Sequence, residues 1–336
     1  MSSLETRPDE VTCGEQAATD GTVTVLEPRE VPLGGPRAMT VRRTLPSRRR
    51  TMIGAWCFVD HYGPDDVAET GGMVVPPHPH TALQTVSWLF SGLVEHRDST
   101  GVRALVRPGE LNLMTAGHGV CHSEVSVVPA DGASGSVDSG VLHGAQLWVV
   151  LPAGRTDVEP SFEHFVPEPV RHGDAGVSVF LGDLRVGEQR VGSPVTTHTP
   201  LLGAEVVLEP GARLRLGVDV EHEHGLLVDQ GEVTVAGQGV RRSELAYLAP
   251  GREELELVAG GEPVRALLLG GPPFGEQIVM WWNFIGRSHE EVVAAREQWQ
   301  DELGHRADGR FGAVDYPDGE SLPAPALPQV RLRPRG

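Results

Sequence analysis

Short runs of alternating apolar and polar residues, each closed by glycine or proline, fill most of this chain. In the first half "TALQTVSWLF" (81–90), "RALVRPGELNLMTAG" (103–117) and "GAQLWVVLP" (144–152) have the period-two, β-branched character of strands. The second half repeats it in "VSVFLGDL" (177–184), "LLGAEVVLEPGARLRLGV" (201–218), "HGLLVDQGEVTVAG" (224–237), "SELAYLAPG" (243–251), "EELELVAG" (253–260) and "VRALLLGG" (264–271). Many short elements of this kind predict an all-β protein of sandwich or barrel type. One stretch departs from it. Ser288 is placed as the N-cap of a helix, Glu291 completes a capping box, and Gly304 stands at C′, so 288–304 is predicted as a C-terminal helix.

The two halves also resemble each other. "PGELNLMTAG" (108–117) and "RSELAYLAPG" (242–251) both run through a Glu-Leu strand into a glycine turn, and Gly92 and Gly231 each punctuate a hairpin. A duplicated sandwich explains this most simply. The expected organisation is a polar tail (1–20), a first β domain (21–155), a second (156–287), the helix, and a Pro-rich tail (305–336). A Gly/Ser/Asp segment, "PADGASGSVDSG" (129–140), reads as a low-complexity loop in the first domain.

Composition narrows the function classes. The 42 glycines and 27 prolines fit many short elements, and a formal net charge of −18 argues against non-specific binding to nucleic acid or anionic membrane. The five arginines of "RRTLPSRRRT" (42–51) are expected in a solvated loop that pairs with the acidic remainder. No apolar run is long enough to span a bilayer, and the N-terminus lacks a signal-peptide core, so a cytoplasmic monomer is expected. Cys13, Cys57 and Cys121 make no disulfide framework, which agrees with a reducing compartment.

Chemistry enters at "VVPPHPH" (74–80). Residues two apart on a strand share a face, so His78 and His80 converge. Some forty residues on, in "TAGHGVCHSEV", His122 and Glu124 have the same spacing. Two antiparallel strands carrying these pairs would bring three imidazoles and one carboxylate to a single divalent transition metal and leave two coordination positions open. Such N/O ligation suits non-haem Fe(II); Mn, Co, Ni, Cu or Zn also fit.

At this point the residues carry a family likeness. "FVDHYGP" (58–64), "HPHTALQTVSW" (78–88), "PGELNLMTAGHGVCHSE" (108–124) and "LHGAQLWVVLP" (142–152) resemble the pirins of the cupin superfamily in order and spacing. The likeness continues more thinly through "TPLLGAEVVLEPG" (199–211) and 270–299. It implies a bicupin fold, two jelly-roll domains with the metal in the first, held by His78, His80, His122 and Glu124. It also implies similarity to quercetin 2,3-dioxygenases: a small flavonol-like aromatic substrate and O2, with Glu124 as catalytic base. Pirins are described in a second role as well, an iron-containing redox-sensitive regulator that docks on a transcription factor or metabolic enzyme.

Several residues test that likeness. Gln84 stands where related sequences usually carry Glu. His118 is read as a turn residue at the rim rather than a proton shuttle, and alternation turns the Cys121 thiol away from the metal. Asp60 and His61 are read as turn-stabilising, with a place beside the metal as the alternative. Trp88 and Trp148 are read as core residues, and Trp281, Trp282 and Phe284 as packing for the C-terminal segment. In the second domain, His222 and His224 lie five residues closer to their hairpin glycine than His78 and His80 do to theirs, an odd offset expected to turn them to the opposite face. Glu256 and Val258 fall opposite His122 and Glu124, so a metal-free second domain is expected.

Overall fold

The structure is a computed structural model that describes residues 23–33, 39–128, 140–303, 308–317 and 319–336. The expected N-terminal tail with Cys13, nearly all of the 129–140 segment and the predicted C′ residue Gly304 lie outside the described residues.

Two all-antiparallel units account for nearly all the strands. In the first, a seven-stranded sheet runs in the order Ser161–Phe165, Leu111–Thr115, Leu83–Ser91, Val141–Val150, Trp56–Asp66, Met39–Leu45, Arg29–Leu33. It packs against a four-stranded sheet of Val74–His80, Val120–Ser126, Val94–Asp98 and Arg103–Val106, with Tyr62, Leu89 and Leu142 meeting Val75, Val94 and Val106 between them. The second unit has a seven-stranded sheet centred on Glu223–Gln230 and Val264–Gly271, and a six-stranded sheet from Gln189–Gly192 to Gln238–Arg241. The duplication is visible in the turns. Gly92 and Gly231 follow equivalent central strands at φ +81 and +75, a left-handed conformation that glycine adopts without a Cβ penalty.

The two seven-stranded sheets meet back to back. Alternation along each central strand sends one set of side chains into its own sandwich and the other set to the partner sheet. Along Glu223–Gln230, Leu226 and Val228 join the core of the second unit, while Leu227 joins a core shared with Trp56, Leu83, Val86 and Trp88 of the first. Trp88 stacks on Phe180 at 4.4 Å and donates its indole N–H to Glu205 at 2.7 Å. Trp56 donates across the same seam to the carbonyls of Leu202 and Gly270. The first strand, Thr24–Leu26, crosses over entirely and pairs with Leu245–Leu248 of the second unit.

The basic run keeps its expected solvated state only at Arg48 and Arg49, which are exposed. Arg43 is buried and bonds both carboxylate oxygens of Asp60, at 2.7 and 2.8 Å. Arg50 lies 3.6 Å over the Tyr247 ring, beside Glu223. Arg43 sits on Met39–Leu45, where pairing opposite Asp60 of Trp56–Asp66 draws it inward, whereas Arg50 lies in the loop that follows.

The helix spans His289–Glu302, with Ser288 as N-cap accepting from the Glu291 N–H at 3.2 Å. The Glu291 carboxylate reaches back one residue further than the usual box, to the N–H of Arg287. Val292, Ala295 and Trp299 bury against Trp281, Trp282, Phe284 and Phe311, as expected for the aromatic segment. Residues beyond the helix turn back over the first unit: the N–H of Cys121 bonds the Phe311 carbonyl, and that of Leu322 bonds the Pro77 carbonyl. No helix among the described residues is long and apolar enough to cross a membrane.

Candidate metal centre

His78 and His80 lie on one strand and His122 on its antiparallel neighbour, where His122 pairs directly with His78 and Val120 with His80. All three imidazoles are fully buried, with ring centroids 4.3–5.1 Å apart. Their ligating nitrogens lie within 4.8 Å of one another. The prolines that precede the pair are part of the construction. Neither Pro76 nor Pro77 can donate to a sheet ladder, and here the register with Val120–Ser126 shifts between His122 and Glu124.

Each ring is held by its far nitrogen. His78 Nδ1 meets the Pro76 carbonyl at 2.9 Å, and His80 Nδ1 meets the Asn283 carbonyl at 3.1 Å. Donation to a carbonyl fixes the proton on Nδ1 and leaves a lone pair on Nε2. His122 Nδ1 faces His96 Nδ1 at 3.4 Å, while His96 Nε2 bonds Asp98 at 3.1 Å. The Asp98 carboxylate is itself fixed by the Thr100 N–H and hydroxyl. With His96 donating to Asp98, its Nδ1 accepts from His122, and the third Nε2 is also left with a lone pair.

The outcome is three buried Nε2 atoms, on His78, His80 and His122, that bond to no other group. Burial holds the three imidazoles well below the ordinary histidine range, so they are neutral and competent as ligands. The buried, orphaned nitrogens fit a metal ion. The cluster can therefore hold one.

Glu124 is buried on the same strand as His122, with Ser87 Oγ 3.4 Å from Oε1. It groups within 4.8 Å with His122 and His96 rather than with the compact histidine trio. Ser87 Oγ also reaches Gln146 Oε1 at 2.8 Å, which puts the Gln146 amide on the same wall. Trp148, buried as expected, stands edge-on to His80 at 5.0 Å.

Gln84 donates to Thr115 Oγ1 at 2.9 Å. His118 is the rim residue expected: its ring is partly exposed beside Glu159, and its carbonyl accepts from Arg310. Cys121 packs among the C-terminal aromatics, away from the histidine trio. Burial pushes its thiol upward, and that of Cys57 up to about 12. Asp60 and His61 fit neither reading offered for them. Asp60 is locked to Arg43, and His61, on the opposite face of its strand, bonds Asp229 of the second unit at 2.7 Å.

In the second unit His224 is buried and His222 partly so, 6.2 Å apart between rings, and among the described residues no third ligating group joins them. The expected reason needs correcting. Alternation puts His224 on the same face as the core residues Leu226 and Val228. Its strand is the equivalent of Leu83–Ser91, whereas His78 and His80 lie on Val74–His80 of the other sheet, so a different strand, not a turned face, separates it from the first-unit pattern. Glu256 is engaged with Arg213 and Arg215.

Two supports were missed from sequence. His96 and Asp98, in "EHRD", have the same i, i+2 spacing as the recognised pairs and could have been found by it. The Asn283 carbonyl carries no side-chain signal, since the segment contributes through its backbone.

Comparison with known proteins agrees with this architecture. The Pirin family matches residues 38–149, and the Pirin C-terminal cupin domain matches 203–304. A Pseudomonas aeruginosa protein named "Putative quercetin 2,3-dioxygenase PA1205" is 42% identical, covering 89% of each chain. A "Pirin-like protein" of Caulobacter vibrioides is 32% identical over 90% of this chain and 98% of its own. The crystal structure of a quercetin 2,3-dioxygenase from Acinetobacter baumannii superposes with a TM-score of 0.81 at 36% identity, covering 93% of this chain and 97% of that one. With both halves matched in order and the cupin sandwiches in place, the chain belongs to the pirin family.

Proposed function

We propose that this protein is a metal-dependent dioxygenase that opens a flavonol-type aromatic with O2. One divalent transition metal, Fe(II), would be bound by His78, His80 and His122, with Glu124 at its edge. The observation that carries the reading is the trio of buried imidazole nitrogens with no other use. A metal held there supplies Lewis acidity, lowering the pKa of a substrate hydroxyl.

The chain's own groups do the rest. Glu124, buried beside the trio, accepts the proton that the hydroxyl releases. Ser87, whose single hydroxyl proton goes to Gln146 Oε1 at 2.8 Å, orients that side chain beside Glu124, and the buried Gln146 Nε2 is a donor without a partner that can bond a substrate oxygen. Trp148 and Phe58, stacked at 4.1 Å, give the wall an apolar side that excludes water.

The test is loss of quercetin's visible absorbance under air by Fe(II)-loaded protein. Turnover in wild type that falls to background in His122→Ala is expected; absence of turnover in wild type, or full turnover in His122→Ala, overturns the reading. A separate measurement addresses the support behind His122. His96→Ala should weaken metal affinity by about 10–100-fold in a chelator competition, since His122 then loses the acceptor that sets its tautomer. Unchanged affinity would mean that His96 merely fills space.

A further inference from the structure

A second convergence of ligating atoms lies at the seam between the two sandwiches, independent of the first site. His61 comes from Trp56–Asp66, His143 from Val141–Val150 and Asp229 from Glu223–Gln230, so two residues belong to the first unit and one to the second. Their ligating atoms are close: His61 Nε2 and His143 Nε2 stand 3.3 Å apart, and Asp229 Oδ1 lies 2.7 Å from the first and 2.6 Å from the second. Ligands about 2.0–2.1 Å from a tetrahedral ion are separated by about 3.3 Å, the spacing of the two imidazole nitrogens; the Asp229 oxygen, now at hydrogen-bond distance from both, would have to withdraw by about 0.6 Å to take the same spacing.

We propose that His61, His143 and Asp229 form a second transition-metal site, which takes Zn(II) and pins the two units together. Two of the ligands, His61 and Asp229, are fixed from behind by a polar partner, as such sites require. His61 Nδ1 faces Ser243 Oγ at 3.2 Å, Asp229 Oδ2 accepts from Arg265 Nε at 2.6 Å, and His143 lies edge-on to Phe90. His61 and Asp229 are sealed, whereas the His143 side chain keeps 10% of its surface exposed, which gives an ion a way in. Arg265, Arg242 and Arg42 add positive charge around Asp229. That charge disfavours a hard cation bound mainly by charge more than an ion with a preference for imidazole nitrogen. The competing account is a hydrogen-bonded hub in which both imidazole N–H groups donate to the one carboxylate oxygen, with no ion.

The two accounts separate by counting. The double variant His78→Ala/His122→Ala, which removes two ligands of the first centre, is loaded with Zn(II), desalted and analysed for metal. One zinc per chain is expected, together with a rise in thermal midpoint on adding Zn(II). Introducing His143→Ala should lower the count to zero and abolish that rise. Because the triple variant could lose its fold, a second readout uses the double variant alone: Co(II) loading should give the intense visible absorption of a tetrahedral site, displaced by stoichiometric Zn(II). No retained zinc and no such spectrum in the folded double variant overturns the proposal, as does a zinc count indifferent to His143.

Discussion

Asp60→Ala should destabilise the protein by about 3–5 kcal/mol, because it leaves the Arg43 guanidinium buried with no counter-charge. Asp60 is completely enclosed and Arg43 is 4% exposed, and the two form a bidentate pair at 2.7 and 2.8 Å. Water cannot replace the carboxylate without opening the sandwich. The damage should also travel. Arg43 lies 4.2 Å over the Phe58 ring, Phe58 stacks on Trp148, and Trp148 stands edge-on to His80. The measurement is urea unfolding of metal-free protein at neutral pH. The pairing is best tested by Arg43→Met/Asp60→Leu, which removes both charges at similar volume and should recover most of the loss. A single-variant effect under about 1 kcal/mol would mean that Arg43 finds another acceptor.

That pair also shows where sequence reading stops. The arginine run reads as a solvated loop because charge runs usually are, and nothing local distinguishes Arg43 from Arg48. What buries Arg43 is the pairing of its strand with Trp56–Asp66, where Arg43 comes opposite Asp60. His61 was misplaced for a related reason: the same strand has two covered faces, and its side chains serve the first sandwich and the seam alternately. A sandwich with one solvated face would have made His61 an exposed residue.

By contrast, the histidine pairs were legible because ligand chemistry and strand period coincide. Two imidazoles at i, i+2 must share a face, and a second pair with the same spacing needs only one antiparallel register to meet the first. The supports behind the ligands were less visible. His96 repeats the i, i+2 signal with Asp98, but the carbonyls of Pro76 and Asn283 are backbone groups whose use depends on tertiary contact. The seam cluster was illegible altogether, since Asp229 lies 168 residues from His61 and neither has a local partner of its own.

His224 leads to the second large effect, a dependence of stability on pH. It is completely buried with both ring nitrogens unbonded, and burial, helped by the nearby His222 and opposed by Asp219, lowers its pKa to about 4. In the unfolded chain an imidazole titrates near 6.5. Above that value both states are neutral and His224 makes no difference to pH dependence. As the pH falls below 6.5 the unfolded chain takes up a proton that the folded state refuses, so stability declines until the folded pKa is reached. At about 1.4 kcal/mol per pH unit, the decline attributable to this residue is about 3 kcal/mol by pH 4. His224→Leu, of similar volume and without polar atoms, should therefore equal or exceed wild type at pH 7.5 and lead it by about 3 kcal/mol near pH 4. Unfolding of metal-free protein at both pH values provides the comparison. His61, His78, His80 and His122 are lowered in the same direction, so the variant keeps their share of the acid sensitivity. Only the difference between the two proteins isolates His224, and a difference that does not change with pH would show that its ring accepts a proton in the folded state as readily as in the unfolded one.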